Sequence, residues 1–171
     1  MHTTTKAGIR TAAIALALAA CATVSQIVQL QPPRFQPAEG TRSELRLLGP
    51  PTQRPLGGAA VRIWSRVENP NPFGLTLTNV TGNLILEDAH AAAVELPLGL
   101  PLRANQDTVI PIDIAISFAD VPSLADAAVR LLTGQSARYR LDGSFGVDAG
   151  PLGTPTFGPT TLLRGELEVR R

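Results

Sequence analysis

The sequence has few of the residue types that build catalytic or metal sites. Its 171 residues include one cysteine, two histidines and a single lysine, Lys6. A lone cysteine excludes an internal disulfide and any metal site made of several thiolates. Only one histidine lies beyond the first 20 residues and no Gly-x-Ser-x-Gly is present, so Ser–His–Asp and Cys–His mechanisms lack their components. We therefore expect no enzyme, no catalytic residue and no metal.

Charge and aromatic residues are also sparse. The 15 basic and 14 acidic residues leave a net charge of +1, and no phosphate loop ending in Gly-Lys-Ser/Thr occurs. We expect neither nucleic acid, which needs a clustered basic face, nor a nucleotide as partner. The densest basic cluster, Arg138 and Arg140 with Arg130, is interpreted as solvated surface. Aromatics make up 4% and Gly and Pro number 15 each, which favours an aliphatic core of short strands joined by many turns.

The first 20 residues have the three parts of a secretory signal peptide. A polar start carries Lys6 and Arg10 without an acid, an apolar run begins at Thr11, and small residues precede Cys21. The apolar run is too short for a comfortable transmembrane helix, which needs about 20 residues. Residues 1–20 are therefore predicted to be removed by cleavage before Cys21.

The cleavage site resembles the lipobox of bacterial lipoproteins, because Leu18, Ala19, Ala20 and Cys21 fit its four positions. The resemblance implies diacylglyceryl transfer to the Cys21 thiol, cleavage and N-acylation, with these covalent lipids as the only non-protein groups and the lipid bilayer as partner. An ordinary secreted protein or an uncleaved signal anchor is the alternative. Ala22 stands where Asp would suggest inner-membrane retention, which favours the periplasmic face of the outer membrane. Residues 21–41 are predicted to be the lipidated N-terminus and a Pro-rich tether.

From residue 42 onward the dominant hydrophobic period is two, which is typical of half-buried strands. The clearest strand is Thr108 to Phe118, whose even positions are mainly isoleucine. Pro111 cannot donate a ladder hydrogen bond, so this strand is predicted either to lie at a sheet edge or to have that position outside the ladder. The other candidate strands are Glu44–Leu48, Ala59–Glu68, Leu75–Val80, Asn83–Glu87, Val94–Leu98, Ala137–Val147 and Leu162–Val169.

One segment has helical spacing instead. Apolar residues from Val121 to Leu132 recur every three or four positions, Ser123 with Asp126 forms a capping-box pattern, and Gly134 provides a stop. About seven strands and one amphipathic helix over residues 42–171 predict an all-β domain with one helix. Its expected architecture is an antiparallel β-sandwich of the immunoglobulin or fibronectin-III kind.

The order of these elements resembles a known family. The most specific part is Asn69-Pro70-Asn71-Pro72-Phe73, directly after a strand. This pattern looks like the water stress and hypersensitive response domain of group 2 late embryogenesis abundant proteins, which are linked to desiccation. The resemblance covers roughly Leu45 to Val169 and implies a folded, non-catalytic β-sandwich whose Asn-Pro motif is structural. Further matching segments are Leu75–Leu86, Ala104–Phe118, Leu131-Leu132, Tyr139–Gly143, Pro151–Gly153 and Gly165–Leu167.

Two functions remain open at this point. The first is a membrane-anchored envelope lipoprotein that protects membranes or proteins during water stress. The second is an envelope module that carries a lipid or peptide or tethers a protein complex; a wide apolar cavity or groove would favour it. The carboxylates and imidazole of Glu87, Asp88 and His90 could in principle hold a cation, but a solvated turn is the favoured interpretation.

Overall fold

The computed structural model describes residues 29–48, 57–117, 133 and 135–169. Most of these residues are in β-strands, and the predicted all-β sandwich fold is confirmed. The predicted helix over residues 121–133 lies outside the described residues, apart from Thr133. The strands are β1 (Arg34–Pro37), β2 (Ser43–Leu48), β3 (Gly58–Glu68), β4 (Leu75–Leu86), β5 (Ala89–Leu102), β6 (Asp107–Ser117), β7 (Ala137–Asp148) and β8 (Thr156–Val169), with a 3₁₀ turn at Gly150–Leu152.

The eight strands form one continuous mixed sheet. Its order is β6–β3–β2–β8–β7–β4–β5. Strand β1 also pairs with β3, on the same edge as β2 and further along it. Within the part of the chain that the structure describes, all strand pairs are antiparallel except β2 with β8, which are parallel. The sequence predicted an antiparallel sandwich, and this one pairing corrects that prediction, because register between distant segments leaves no local sequence pattern. The outermost strands β5 and β6 are consecutive in the chain and lie in contact, so the sheet folds over on itself as a sandwich.

The core is aliphatic, as the composition predicted. Alternate residues of each strand point inward, and one cluster of buried side chains draws on both halves of the folded sheet. Burying one such side chain stabilises the fold by about 1.5 to 3 kcal/mol. The largest fully buried side chains are Ile63, Leu77, Leu84, Leu102, Ile112, Ile116, Leu141, Leu163, Leu167, Val61, Val67 and Val80.

Strand β6 follows its prediction closely. Ile110, Ile112, Ile114 and Ile116 are buried on one face, while the residues between them are exposed. Among the described strands β6 pairs only with β3, and Pro111 lies opposite Trp64 in that pairing. The proline therefore sits on an edge strand, where a missing N–H is tolerated.

The segment predicted as a tether differs from its prediction between Arg34 and Pro37. These residues form β1 and pair with the end of β3, and Pro33 and Ala38 on either side are buried. The Phe35 ring packs on Phe145 with ring centroids 5.0 Å apart. This aromatic contact is of the kind that adds about 0.5 to 1.5 kcal/mol to area burial, and it holds the segment against the domain.

Two glycines allow the neighbouring strands β4 and β7 to approach each other closely. Gly82 and Gly143 are Cα partners, and a Cβ on either one would overlap the backbone of the other strand. Gly143 in β7 thus marks a close backbone approach between the two strands. No helix in the described part of the chain is long and apolar enough to cross a bilayer.

Candidate functional site

The Asn-Pro-Asn-Pro-Phe segment forms a hydrogen-bonded hub at the end of β3. Pro70 and Pro72 have no N–H to donate to a strand ladder, so β3 ends at Glu68 and the chain bends over residues 71–73. The side-chain amide of Asn69 donates to the backbone oxygens of Phe73 at 2.8 Å, Arg103 at 3.1 Å and Leu102 at 3.3 Å. One buried amide therefore joins the β3–β4 turn to the β5–β6 loop.

Asn71 extends this hub to the N-terminal segment. Its Oδ1 accepts a hydrogen bond from the Gln31 backbone N–H at 2.8 Å, and its Nδ2 donates to the Gln31 carbonyl at 2.8 Å. Nδ2 also donates to Asn69 Oδ1 at 2.9 Å, and that same oxygen accepts from the Asn71 N–H at 3.0 Å. Each amide is thus satisfied by named partners, which explains how such polar groups can be buried.

Both asparagines are 0% exposed, while Phe73 is partly buried and packs against the core. Neutral, fully bonded amides offer neither a nucleophile nor a general base. What this arrangement can do is hold three chain segments together, in line with the structural role that the resemblance implies. The sequence singled out Asn69 to Phe73 as a structural motif, but nothing in it identified Gln31 as a partner.

The Glu87–Asp88 turn is a tight hairpin connection. Both residues have positive φ, 46° and 66°, as the favoured two-residue hairpin turn requires. Glu87 accepts a hydrogen bond from the Arg138 backbone N–H at 2.6 Å, and Arg138 also forms ion pairs with Glu87 and Asp88. His90 Nε2 lies 3.0 Å from Asn83 Oδ1 instead. Over the residues that the structure describes, no cluster of three metal-ligating side chains is found.

A second polar group lies on the outward face of β7 and β8. Asp142 accepts a hydrogen bond from the Thr161 hydroxyl at 2.7 Å and from Arg140 Nε at 2.8 Å. The Thr161 bond, aided by the charges of Arg140 and Arg164, lowers the pKa of Asp142 below its ordinary value of 3.8. The sequence singled out Arg140 but not Arg164, because only the register of two distant strands brings them together.

The lipobox residues Leu18, Ala19, Ala20 and Cys21 lie outside the described residues. Lipidation of Cys21 therefore stays a prediction.

The described architecture defines the class of protein: an all-β sandwich closed at one end by a buried asparagine hub. Residues 65–160, more than half of the chain, match the LEA_2 family model for late embryogenesis abundant proteins. The chain therefore belongs to the late embryogenesis abundant family, whose LEA_2 domains are stress-related and generally non-enzymatic.

Solved structures show the same fold. A solution structure from Arabidopsis thaliana has a TM-score of 0.56 and 15% identity, covering 87% of this chain and 91% of that one. The solution structure of a protein described as a late embryogenesis abundant (LEA) protein has a TM-score of 0.53 and 17% identity. It covers 83% of this chain and 74% of that one. No curated protein matches the sequence.

Proposed function

We propose that this chain is a lipid-anchored envelope protein whose domain protects membranes or proteins during water stress by contact rather than by catalysis. Family membership supports the stress-related part. The lipobox around Cys21 supports the anchor and, through Ala22, the periplasmic face of the outer membrane. The covalent lipids on Cys21 are the only non-protein groups in this proposal.

The observation that carries the proposal is the hydrogen-bonded pair between Asn71 and Gln31. It fixes the backbone to the domain only ten residues after Cys21. Ten residues span at most about 35 Å, even when fully extended. An acyl anchor at Cys21 would therefore keep the hub end of the domain near the bilayer surface, where tethering raises the effective concentration of the domain.

The described interior favours protection over carriage. Buried aliphatic side chains from β2 to β8 form one continuous hydrophobic core cluster. In the described ranges the exposed large hydrophobic side chains are Leu48, Val109 and Leu152, on three different elements. Scattered single apolar residues are ordinary surface and do not form a lipid groove. Carriage of a lipid or peptide, or tethering of a complex, is the alternative.

A leakage assay tests the proposal directly. Dye-loaded vesicles are dried and rehydrated with the purified acylated protein, with the non-acylated Cys21→Ser variant at the same concentration, or with no protein. We expect the acylated form to reduce leakage most, since it is held at the surface. If neither form reduces leakage, membrane protection is wrong, and lipids extracted from the purified protein become the next measurement.

A further inference from the structure

Two arginines face each other on the outward side of the sheet. Arg140 on β7 and Arg164 on β8 are Cα partners in the antiparallel register, and both are exposed. Like charges directly opposite each other destabilise a β-sheet. This pair therefore opposes folding in the isolated domain, and its presence calls for another explanation.

Arg164 also differs from most arginines of this fold. Among the nine arginines of the described ranges, six form an ion pair with an acid, whereas Arg46, Arg103 and Arg164 form none. Only Arg164 of these three stands opposite another arginine in the strand register. The six pairs are Arg34–Glu68, Arg42–Glu168, Arg62–Asp113, Arg66–Asp107, Arg138 with Glu87 and Asp88, and Arg140–Asp142.

Asp142 fixes the geometry of this group without neutralising it. One carboxylate oxygen accepts from Arg140 Nε and the other accepts from the Thr161 hydroxyl. The clamp orients the Arg140 guanidinium, and its terminal nitrogens have no second acid partner within the described ranges. With two guanidinium groups and one carboxylate, the group keeps a net charge of +1.

The same residues line a shallow, open depression of about 440 Å³, completed by Pro159 and Thr160. Guanidinium groups bind phosphate oxygens in a two-pronged geometry, and a threonine hydroxyl can donate a further hydrogen bond. The oxygens of a phosphate group point to the corners of a tetrahedron, so the group can engage two guanidinium groups from different sides, even in a phosphodiester headgroup with two unesterified oxygens. A carboxylate has only two coplanar oxygens and suits one guanidinium.

We propose that this depression is a binding site for a phosphate group, with Arg140 and Arg164 as its ligands and Asp142 and Thr161 as positioning residues. Thr160 supplies an additional hydroxyl. The group can belong to free phosphate or to the headgroup of an anionic phospholipid, because the same chemistry recognises both. The site is independent of the water-stress role, since it depends only on the β7–β8 surface.

An NMR titration of the full chain in non-ionic detergent, labelled with ¹⁵N-arginine, tests this site. The titrants are inorganic phosphate, short-chain phosphatidylglycerol and acetate at constant ionic strength, because salt screens exposed charges. We expect the Arg140 and Arg164 Nε resonances to shift together and to saturate with a phosphate-bearing titrant. Acetate should produce no saturating shift at the same concentrations.

Variants separate a site from general charge attraction. Arg164→Gln should weaken phosphate binding about tenfold, as expected for one lost charge-assisted contact. Arg164→Lys keeps the charge but loses the two-pronged geometry. Its affinity for phosphate should lie between that of Arg164→Gln and that of the wild type. Arg62→Gln is the matched control, because Arg62 is already held by Asp113 through two hydrogen bonds of 2.6 and 3.0 Å. It should bind as the wild type does.

The outcomes of the titration distinguish the two sources of the phosphate group, free phosphate and a phospholipid headgroup. Saturation with inorganic phosphate and lipid alike supports a site for the phosphate group itself. Saturation with the lipid alone supports a headgroup site. Parallel, non-saturating shifts of all exposed arginines, equal binding of acetate, or unchanged binding in Arg164→Gln would overturn the proposal.

Discussion

Asn71 and Gln31, 40 residues apart, exchange two hydrogen bonds of 2.8 Å between one side-chain amide and one backbone unit. The amide of Asn71 pairs with Gln31 in the way that the backbone of a neighbouring strand would. Because Asn71 is fully buried and also bonded to Asn69, the pair is anchored in the interior of the hub. The N-terminal segment is therefore bonded to the domain before β1 begins.

Substitution of Asn71 tests this anchoring. Asn71→Ala removes the Gln31 pair and the bond to Asn69, and we expect the free energy of unfolding to fall by about 2 to 4 kcal/mol. The backbone N–H of Gln31 should lose its hydrogen-bond acceptor and exchange its proton with solvent faster. Urea denaturation measures the first effect, and hydrogen exchange measures the second.

Asn83→Ala is the matched control for this experiment. Asn83 is exposed on β4 and its side chain contacts His90. Its loss should change stability by less than about 0.5 kcal/mol, the range of ordinary surface substitutions. An Asn71→Ala variant as stable as this control would contradict the anchoring role.

Ser65 provides a second test, in the opposite direction. It is 0% exposed within the core-facing row of β3, and its hydroxyl has no hydrogen-bond partner among the described residues. An unsatisfied buried hydroxyl costs about 1 to 3 kcal/mol. Ser65→Ala should therefore raise the free energy of unfolding by about 1 kcal/mol, as measured by urea denaturation.

Val67→Ala is the companion variant, two residues further along the same buried face. It removes apolar contacts instead of an unsatisfied hydroxyl, so it should destabilise by about 2 kcal/mol. If Ser65→Ala is destabilised to the same extent, the hydroxyl has a partner and the account of this position is wrong.

Asp142 makes stability depend on pH. Its pKa is lowered in the folded state, chiefly by the Thr161 hydroxyl and then by Arg140 and Arg164. The carboxylate therefore stabilises the fold at pH values above its ordinary pKa of 3.8, and this contribution is lost as the pH falls through the folded-state pKa. Asp142→Asn should lower the melting temperature at pH 7 and flatten its decline in acid.

Thr161→Val removes the main cause of the lowered Asp142 pKa while leaving the Asp142 carboxylate in place. The pKa of Asp142, followed by the NMR signal of its carboxyl carbon, should rise in this variant. Titration of the wild-type carboxyl at or above 3.8 would contradict the arrangement around Asp142.

The fold was largely predictable because strands buried on one face have an alternating hydrophobic pattern in the local sequence. Alternating isoleucines predicted β6, and Pro111 indicated either an edge strand or a position outside the ladder, because both features depend only on near neighbours in sequence. Features that depend on distant segments were not predicted. Examples are the parallel pairing of β2 with β8 and the docking of Phe35 against Phe145, which turned part of the expected tether into β1.

The candidate sites follow the same division. Asn69 to Phe73 could be identified as a turn from the two prolines, whereas the contact of Asn71 with Gln31 required the folded chain. Arg164 has no distinguishing sequence context. Only the register that sets it opposite Arg140 gives it a neighbour of like charge.

Lipidation of Cys21 is open to direct labelling. Radiolabelled palmitate should enter the wild-type protein and be absent from Cys21→Ser, which should also be released from membranes. The label should depend on Cys21 because the lipids are added at its thiol and new N-terminus. Release should follow because several acyl chains hold a protein stably at a membrane, whereas one chain is a marginal anchor. A soluble wild-type protein with a free N-terminus at another residue would contradict the anchor.

The central claim, protection by an anchored and non-catalytic domain, is tested most directly by survival after drying. Cells lacking the gene are complemented with the wild type, with Cys21→Ser or with an empty vector, grown wet, dried and counted after rehydration. The account predicts equal growth when wet, poorest survival with the empty vector, and better rescue by the anchored protein than by Cys21→Ser. Equal survival of all strains across several drying regimes would contradict it.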